Sequence, residues 1–186
     1  MLDGLSNIKK LVKRAKDMNM PAVALTDHGT MFGVIDFYNA AKAAEIKPII
    51  GVEAYLAPRG MTSRDPQQDK KSTHILLLAE NQTGYQNLLK LASAAQLDGF
   101  YYYPRIDHEL LAQHQEGLIC TSGCMSAEVP RLIGNGDLEG ARKQLDWYYE
   151  VFGERFFLEL QAHDIKELDE INKNLLTLGR RYDARF

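Results

Sequence analysis

Two rhythms of apolar and polar positions run through the chain. Leu5, Ile8, Leu11, Val12 and Ala15 recur at helical spacing, with Lys9, Lys10, Lys13, Arg14 and Lys16 mostly on the other side. An amphipathic helix is expected from Leu5 to Met18, its charges forming a solvated face or, less simply, a DNA contact. Ala22 to Leu25 are apolar without alternation, the pattern of a strand covered on both faces. A helix from about Phe32 to Glu45 follows, then a strand from Lys47 to Leu56 centred on Ile49-Ile-Gly-Val. Thr73 to Ala79 reads as the third clear strand and Gly84 to Gln96 as a helix, with Tyr85, Leu88, Leu89, Leu91 and Ala92 toward the core. A short helix opens at Ile106 or Asp107 and runs to Gln113. A strand from Gly117 ends in a turn at Gly123. Glu128 to Ile133 is a short helix despite Pro130, and Asp137 caps a helix reaching Phe152. Phe156 to Gln161 is the last strand and Ile165 to Tyr182 the last helix.

About five strands alternating with helices predict an α/β fold with a mostly parallel sheet and helices outside. A (β/α) barrel with incomplete ends fits this order, and an open doubly wound sheet is the alternative. Residues 1–186 read as a single domain. The first helix has no strand before it, and the chain stops at Arg185-Phe186 where another strand is due. Pro58 to Ser72 is a polar loop of about 15 residues, a length that usually marks function or mobility.

Composition narrows the function classes. The chain has 186 residues, 45% hydrophobic and 25% charged, enough for one core. A net charge of −3 gives no global pull toward nucleic acid, though a local basic face remains possible. The two cysteines, Cys120 and Cys124, are too few for a disulfide framework and point to a reducing, cytoplasmic setting. No apolar run approaches the roughly 18 residues needed to span a membrane, and no signal peptide is expected before the first helix. No Gly-rich phosphate fingerprint follows any strand, which weakens a nucleotide-binding reading.

Candidate chemistry gathers beside the strands. Thr26-Asp-His-Gly stops the first strand and hands over to a helix, the place where α/β folds bind ligands. Asp27 and His28 there could bind a metal or move a proton; equally, Asp27 could cap the helix and His28 be a satisfied loop residue. Glu53 interrupts an apolar run, so it lies at the strand's end or holds a partner inside. His74 opens its strand rather than closing it, and Cys124 follows the turn at Gly123. Asp3 precedes the first helix and is also a natural cap for it. His, Glu, Asp and Cys are the side chains that bind zinc or manganese, and each of Asp3, His28, Glu53, His74 and Cys124 also has a plain structural reading. Gly99-Phe-Tyr-Tyr-Tyr-Pro-Arg sets three tyrosines side by side; they cannot all face a core, and either stack on bases or pack on a neighbouring surface. His108, His114 and His163 lie in polar surroundings and read as surface residues.

Leu25-Thr-Asp-His-Gly, Ile50-Gly-Val-Glu-Ala-Tyr, Thr73-His-Ile-Leu-Leu-Leu-Ala, Gly99-Phe-Tyr-Tyr with Pro104-Arg-Ile-Asp, and Ser122-Gly-Cys follow in that order. Together they resemble successive motifs of the PHP (polymerase and histidinol phosphatase) domain, in the form found in the bacterial DNA polymerase III alpha subunit. The resemblance implies a distorted, TIM-like PHP barrel with a cluster of divalent metals, zinc or manganese. It implies Asp3, His28, Glu53, His74 and Cys124 as metal ligands, with Asp27 supporting them from behind or shaping the turn. The family's opening His-x-His would precede Met1 and its closing Asp-x-His would follow Phe186. The expectation is therefore a PHP domain fragment, cut on both sides and lacking its first and last strands.

The implied setting is DNA replication, with polymerase activity supplied by domains beyond this chain. The PHP domain itself would hydrolyse phosphoesters, such as a mispaired 3′ end, or serve as a scaffold. Implied partners are the remainder of the alpha subunit, a proofreading subunit and primer-template DNA. The alternative is a stand-alone phosphoesterase similar to histidinol phosphatase, against which the Gly99 to Asp107 run argues. With part of the ligand set absent, the chain alone is expected to show no polymerase activity and little or no phosphoesterase activity.

Overall fold

The sheet is arranged on its longest strand, β2 (Lys47–Leu56). The computed structural model describes residues 6–186. It contains β1 (Ala22–Leu25), β2, β3 (Thr73–Ala79), β4 (Arg105–Ile106), β5 (Leu118–Thr121) and β6 (Phe156–Phe157). The strands lie in the order β1-β2-β3-β5-β6, with β4 against β2. One edge of β2 carries, in succession, β1 on Lys47 to Ile50, a bridge from His28 on Glu53, and β4 on Tyr55 and Leu56. The other edge carries β3.

Four expectations need correction. The sheet is mixed rather than mostly parallel, because β3 runs antiparallel to both β2 and β5. The reason is the connection: a parallel neighbour needs a crossover element, and no helix lies between β2 and β3. β1 is not covered on both faces. Among the described residues it pairs only with β2, and Ala24 is exposed. β4 was not expected as a strand; its two residues are held by hydrogen bonds from elsewhere, with no apolar run to announce them. The last strand is also shorter than Phe156 to Gln161, although Phe157 gains a second bridge to Arg185.

The helices are α1 (Ile8–Asp17), α2 (Val34–Ala43), α3 (Gln82–Leu97), α4 (His108–Gln113), α5 (Glu128–Gly134), α6 (Leu138–Phe152) and α7 (Lys166–Gly179). Side-chain caps start several of them: Asn7 accepts from Lys10 N–H, Asn81 from Gly84, Asp107 from Leu110 and Asp137 from Gly140. Such caps answer N–H groups that the helix itself leaves unpaired. The core forms two clusters. The larger joins Val52, Leu56, Leu77, Leu118 and Phe156 of the sheet to α3, α5, α6 and α7. The smaller packs Val12 and Ala15 of α1 on Phe37 and Ala41 of α2, beside Val23 and Leu25. Helices thus clamp the sheet on its outer side. The ends of β1, β2 and β3 stay free to carry polar groups.

Candidate metal centre

The turn after β1 is fastened to β2 by backbone. Glu53 N–H donates to the Asp27 carbonyl at 3.1 Å, and Gly29 N–H donates to the Glu53 carbonyl at 2.9 Å. His28 is therefore clipped beside Glu53. Gly29 sits at φ +63°, and a Cβ there would lie 2.7 Å from Pro104 Cγ and 3.0 Å from the Tyr55 ring. Both the dihedral and the contact demand glycine. The Asp27 carboxylate turns away from the cluster and accepts the Gly33 N–H at 3.2 Å. The carbonyl and the carboxylate of Asp27 are thus both engaged within the turn and its junction with β2.

β3 brings the next group. Its antiparallel register sets His74 opposite Tyr55, near the C-terminal end of β2. A residue that opens its strand thereby reaches the same end of the sheet as residues that close theirs. Nδ1 of His74 lies 2.8 Å from Oε1 of Glu53, and Nδ1 of His28 lies 3.4 Å from Oε2 of the same carboxylate. Ligand atoms of His28, Glu53 and His74 all fall within 4.8 Å of one another. Two ligands of a tetrahedral zinc ion stand about 3.3–3.8 Å apart, so sharing one ion requires these side chains to draw together by up to about 1 Å.

Cys124 joins through His74. The hydrogen bond between them, then the Glu53 carboxylate, holds the His74 pKa up at about 9, and the same bond to His74 lowers that of Cys124. Two imidazoles and a carboxylate form a donor set suited to zinc or another borderline divalent ion, and Cys124 is not part of that close group but adjoins it beside His74. The cysteines are free: Cys120 is buried in the core and Cys124 is half-buried. The fifth sequence candidate, Asp3, lies outside the described residues.

Above the cluster opens a cavity of about 990 Å³, whose lining includes His28, His74, Tyr55, Lys70, Lys71 and Arg131. Tyr102, Tyr103 and Ser126 also reach it. The lysines come from the end of the long loop after β2 and Arg131 from α5, positions with no hydrophobic period to reveal them. Only the adjacent pair Lys70-Lys71 was visible in the sequence as a signal. His108 corrects the sequence reading. It is not a plain surface residue, since its Nε2 lies 2.9 Å from Glu128 Oε2 and its ring meets Trp147 edge-on at 4.5 Å. Its partners come from α5 and α6, so nothing local predicts it. His163 is exposed, as expected.

Residues 1–163 match the family described as the PHP domain. The chain belongs to the PHP domain family. It is 48% identical over 181 residues to the DNA polymerase III subunit alpha of Borreliella burgdorferi, covering 97% of this chain and 16% of that protein. It is 45% identical over 180 residues to the Deinococcus radiodurans subunit, covering 92% of this chain and 14% of that one. The Thermus aquaticus subunit is 44% identical over 186 residues, with 98% and 15% covered. The chain thus spans about 15% of the length of the curated relatives it matches. A solved structure named as a candidate metal-dependent phosphoesterase from Bifidobacterium adolescentis superposes with a TM-score of 0.54 at 16% identity, covering 98% of this chain and 80% of that one. That likeness fixes the fold as a distorted PHP-type barrel, open among the described residues because β1 and β6 are unpaired with each other. No helix among the described residues is long and apolar enough to cross a membrane.

Proposed function

We propose that the chain is the PHP module of a bacterial replicative DNA polymerase alpha subunit. In this reading His28, Glu53, His74 and Cys124, with Asp3, hold a divalent metal, zinc or manganese, at a phosphoester site. The observation that carries it is the donor cluster at the foot of a cation-lined cavity: His28 and His74 face the same space as Lys70, Lys71 and Arg131. A divalent cation held there would polarise a phosphoryl oxygen and lower the pKa of a water. The chain's own residues do the rest. The lysines and Arg131 attract and orient the phosphate. Asp27 and Gly29 fix the height of His28 against Glu53. Glu53 shares its two oxygens between the histidines and so sets both rings. Polymerisation, the remaining alpha-subunit domains, a proofreading subunit and primer-template DNA belong to the larger setting of this proposal.

The test is binding of thymidine 5′-monophosphate to the chain with and without zinc or manganese. The proposal predicts at least about tenfold tighter binding with metal and loss of that difference in His28→Ala. Equal affinity in the two states contradicts it.

A further inference from the structure

One buried cation ties the two walls of the cavity together. Arg105 is fully buried. Its guanidinium donates to the carbonyls of Gly99 at 3.1 Å, Asp69 at 3.0 Å, Met61 at 2.9 Å and Ser63 at 2.8 Å. Gly99 begins the stretch that bears the tyrosines, and Asp69 immediately precedes Lys70-Lys71. The fork of a single side chain therefore sets the tyrosines against the lysines.

The tyrosine stretch is a tight turn. Tyr101 N–H donates to the Tyr103 carbonyl at 3.0 Å, and Tyr102 between them has φ +60°. A bulky residue rarely takes that left-handed conformation, and strained backbone of this kind gathers at ligand sites. The turn leaves Tyr102 57% and Tyr103 48% exposed at the cavity. Tyr103 is backed by Tyr55, stacked at 4.7 Å between centroids. Tyr55 in turn meets His74 edge-on at 5.0 Å. Lys70 Nζ lies 5.8 Å from the centre of the Tyr102 ring. Among the described residues the lining includes Lys70, Lys71 and Arg131 and no carboxylate, although the whole chain carries a net charge of −3.

Exposed aromatic faces beside cations suit a ligand with flat rings and spaced phosphates. A small phosphomonoester would use the cations and leave the rings empty. A duplex keeps its bases stacked inside and offers only its backbone. Unpaired nucleotides use both features, since bases stack on aromatic faces with little regard to sequence. We propose that the Tyr102–Tyr103 turn is a stacking platform for unpaired bases of a single-stranded polynucleotide, whose phosphates are taken by Lys70, Lys71 and Arg131. The proposal rests on the reading of the cavity as a phosphoester site and adds which phosphoester enters.

The experiment measures fluorescence anisotropy of labelled oligo(dT) and oligo(U), each about ten nucleotides long and within the usual site size, against a labelled hairpin duplex. The full chain is used with chelator present, so no strand is cut. Either single strand should bind at least about tenfold more tightly than the duplex, and the tighter of the two identifies the sugar. Tyr102→Gly should weaken binding by about 5–100-fold while the melting temperature holds or rises, because glycine accepts φ +60°. Tyr102→Phe should bind like the unmodified chain. Lys70→Gln should reduce the slope of log affinity against log salt by about 0.7. A duplex bound as tightly as the single strands, or Tyr102→Gly at full affinity, overturns the platform. Zinc uptake is read in parallel. Zinc held without oligonucleotide binding overturns the platform and leaves the metal reading standing. Oligonucleotide bound without zinc uptake supports the platform and overturns the metal reading.

Discussion

His74 Nδ1 lies 2.8 Å from Glu53 Oε1 because β3 runs back along β2. The contact joins a strand's first turn to a partner strand's last, so it depends on strand direction as much as on residue identity. Cys124 is the larger cause of the raised His74 pKa and Glu53 the next. In the metal-free chain, Cys124→Ala should therefore lower the His74 pKa from about 9 toward the ordinary histidine range, and Glu53→Gln should lower it by less. NMR titration of the His74 ring reads this. A pKa unchanged in Cys124→Ala contradicts the pairing.

Gly29→Ala tests the fastening of His28. The substitution places a methyl group 2.7 Å from Pro104 Cγ in a left-handed residue. It should cost more than about 1 kcal/mol of stability and weaken zinc binding by displacing His28 from Glu53. Denaturant unfolding and zinc titration on the same sample check both parts. Unchanged values for both would show that the turn has room to spare.

Arg105→Leu should destabilise the chain by ~3 kcal/mol or more, since each carbonyl stranded without a donor costs about 1–3 kcal/mol. Four carbonyls lose their partner. Urea unfolding measures the loss, and a change below about 1 kcal/mol would mean that water replaces the guanidinium freely.

Asp69 supplies the pH dependence. Its carboxylate is held by Arg59, which keeps its pKa down at about 2. A folded pKa below the unfolded one adds stability above the unfolded value, and that stability is lost as pH falls through the folded value. Stability should drop between about pH 4, the ordinary aspartate range, and about pH 2. Asp69→Asn should flatten that part of the profile. An identical acid slope in Asp69→Asn would remove Asp69 from the explanation.

Much of the fold was legible because it follows local rules. The run Lys47 to Leu56 and the run Thr73 to Ala79 are strands to the residue, and the Asp137 cap stands where its spacing put it. Direction was not legible. Nothing in Thr73 to Ala79 says which way it runs; the absence of a helix after β2 was the signal, and alternation elsewhere masked it. His28, Glu53 and His74 stood out in the sequence through their resemblance to a family, but their closeness came from the sheet. His28, Glu53 and His74 meet through a bridge and a reversed register. Lys70, Arg131 and Arg105 were missed as a group, because loops and separate helices bring them together without periodicity.

The central claim is that His28, Glu53, His74 and Cys124 form one divalent-metal site. The most direct measurement is the metal content of the purified chain after dialysis against zinc or manganese, by inductively coupled plasma mass spectrometry. The account predicts about one ion per chain at a mononuclear site. That content should fall well below one ion in His28→Ala, His74→Ala and Cys124→Ser alike, as a loss of more than about tenfold in affinity would produce, with helical content unchanged by circular dichroism. A chain that retains no ion, or retains it undiminished in all three variants, would contradict the account.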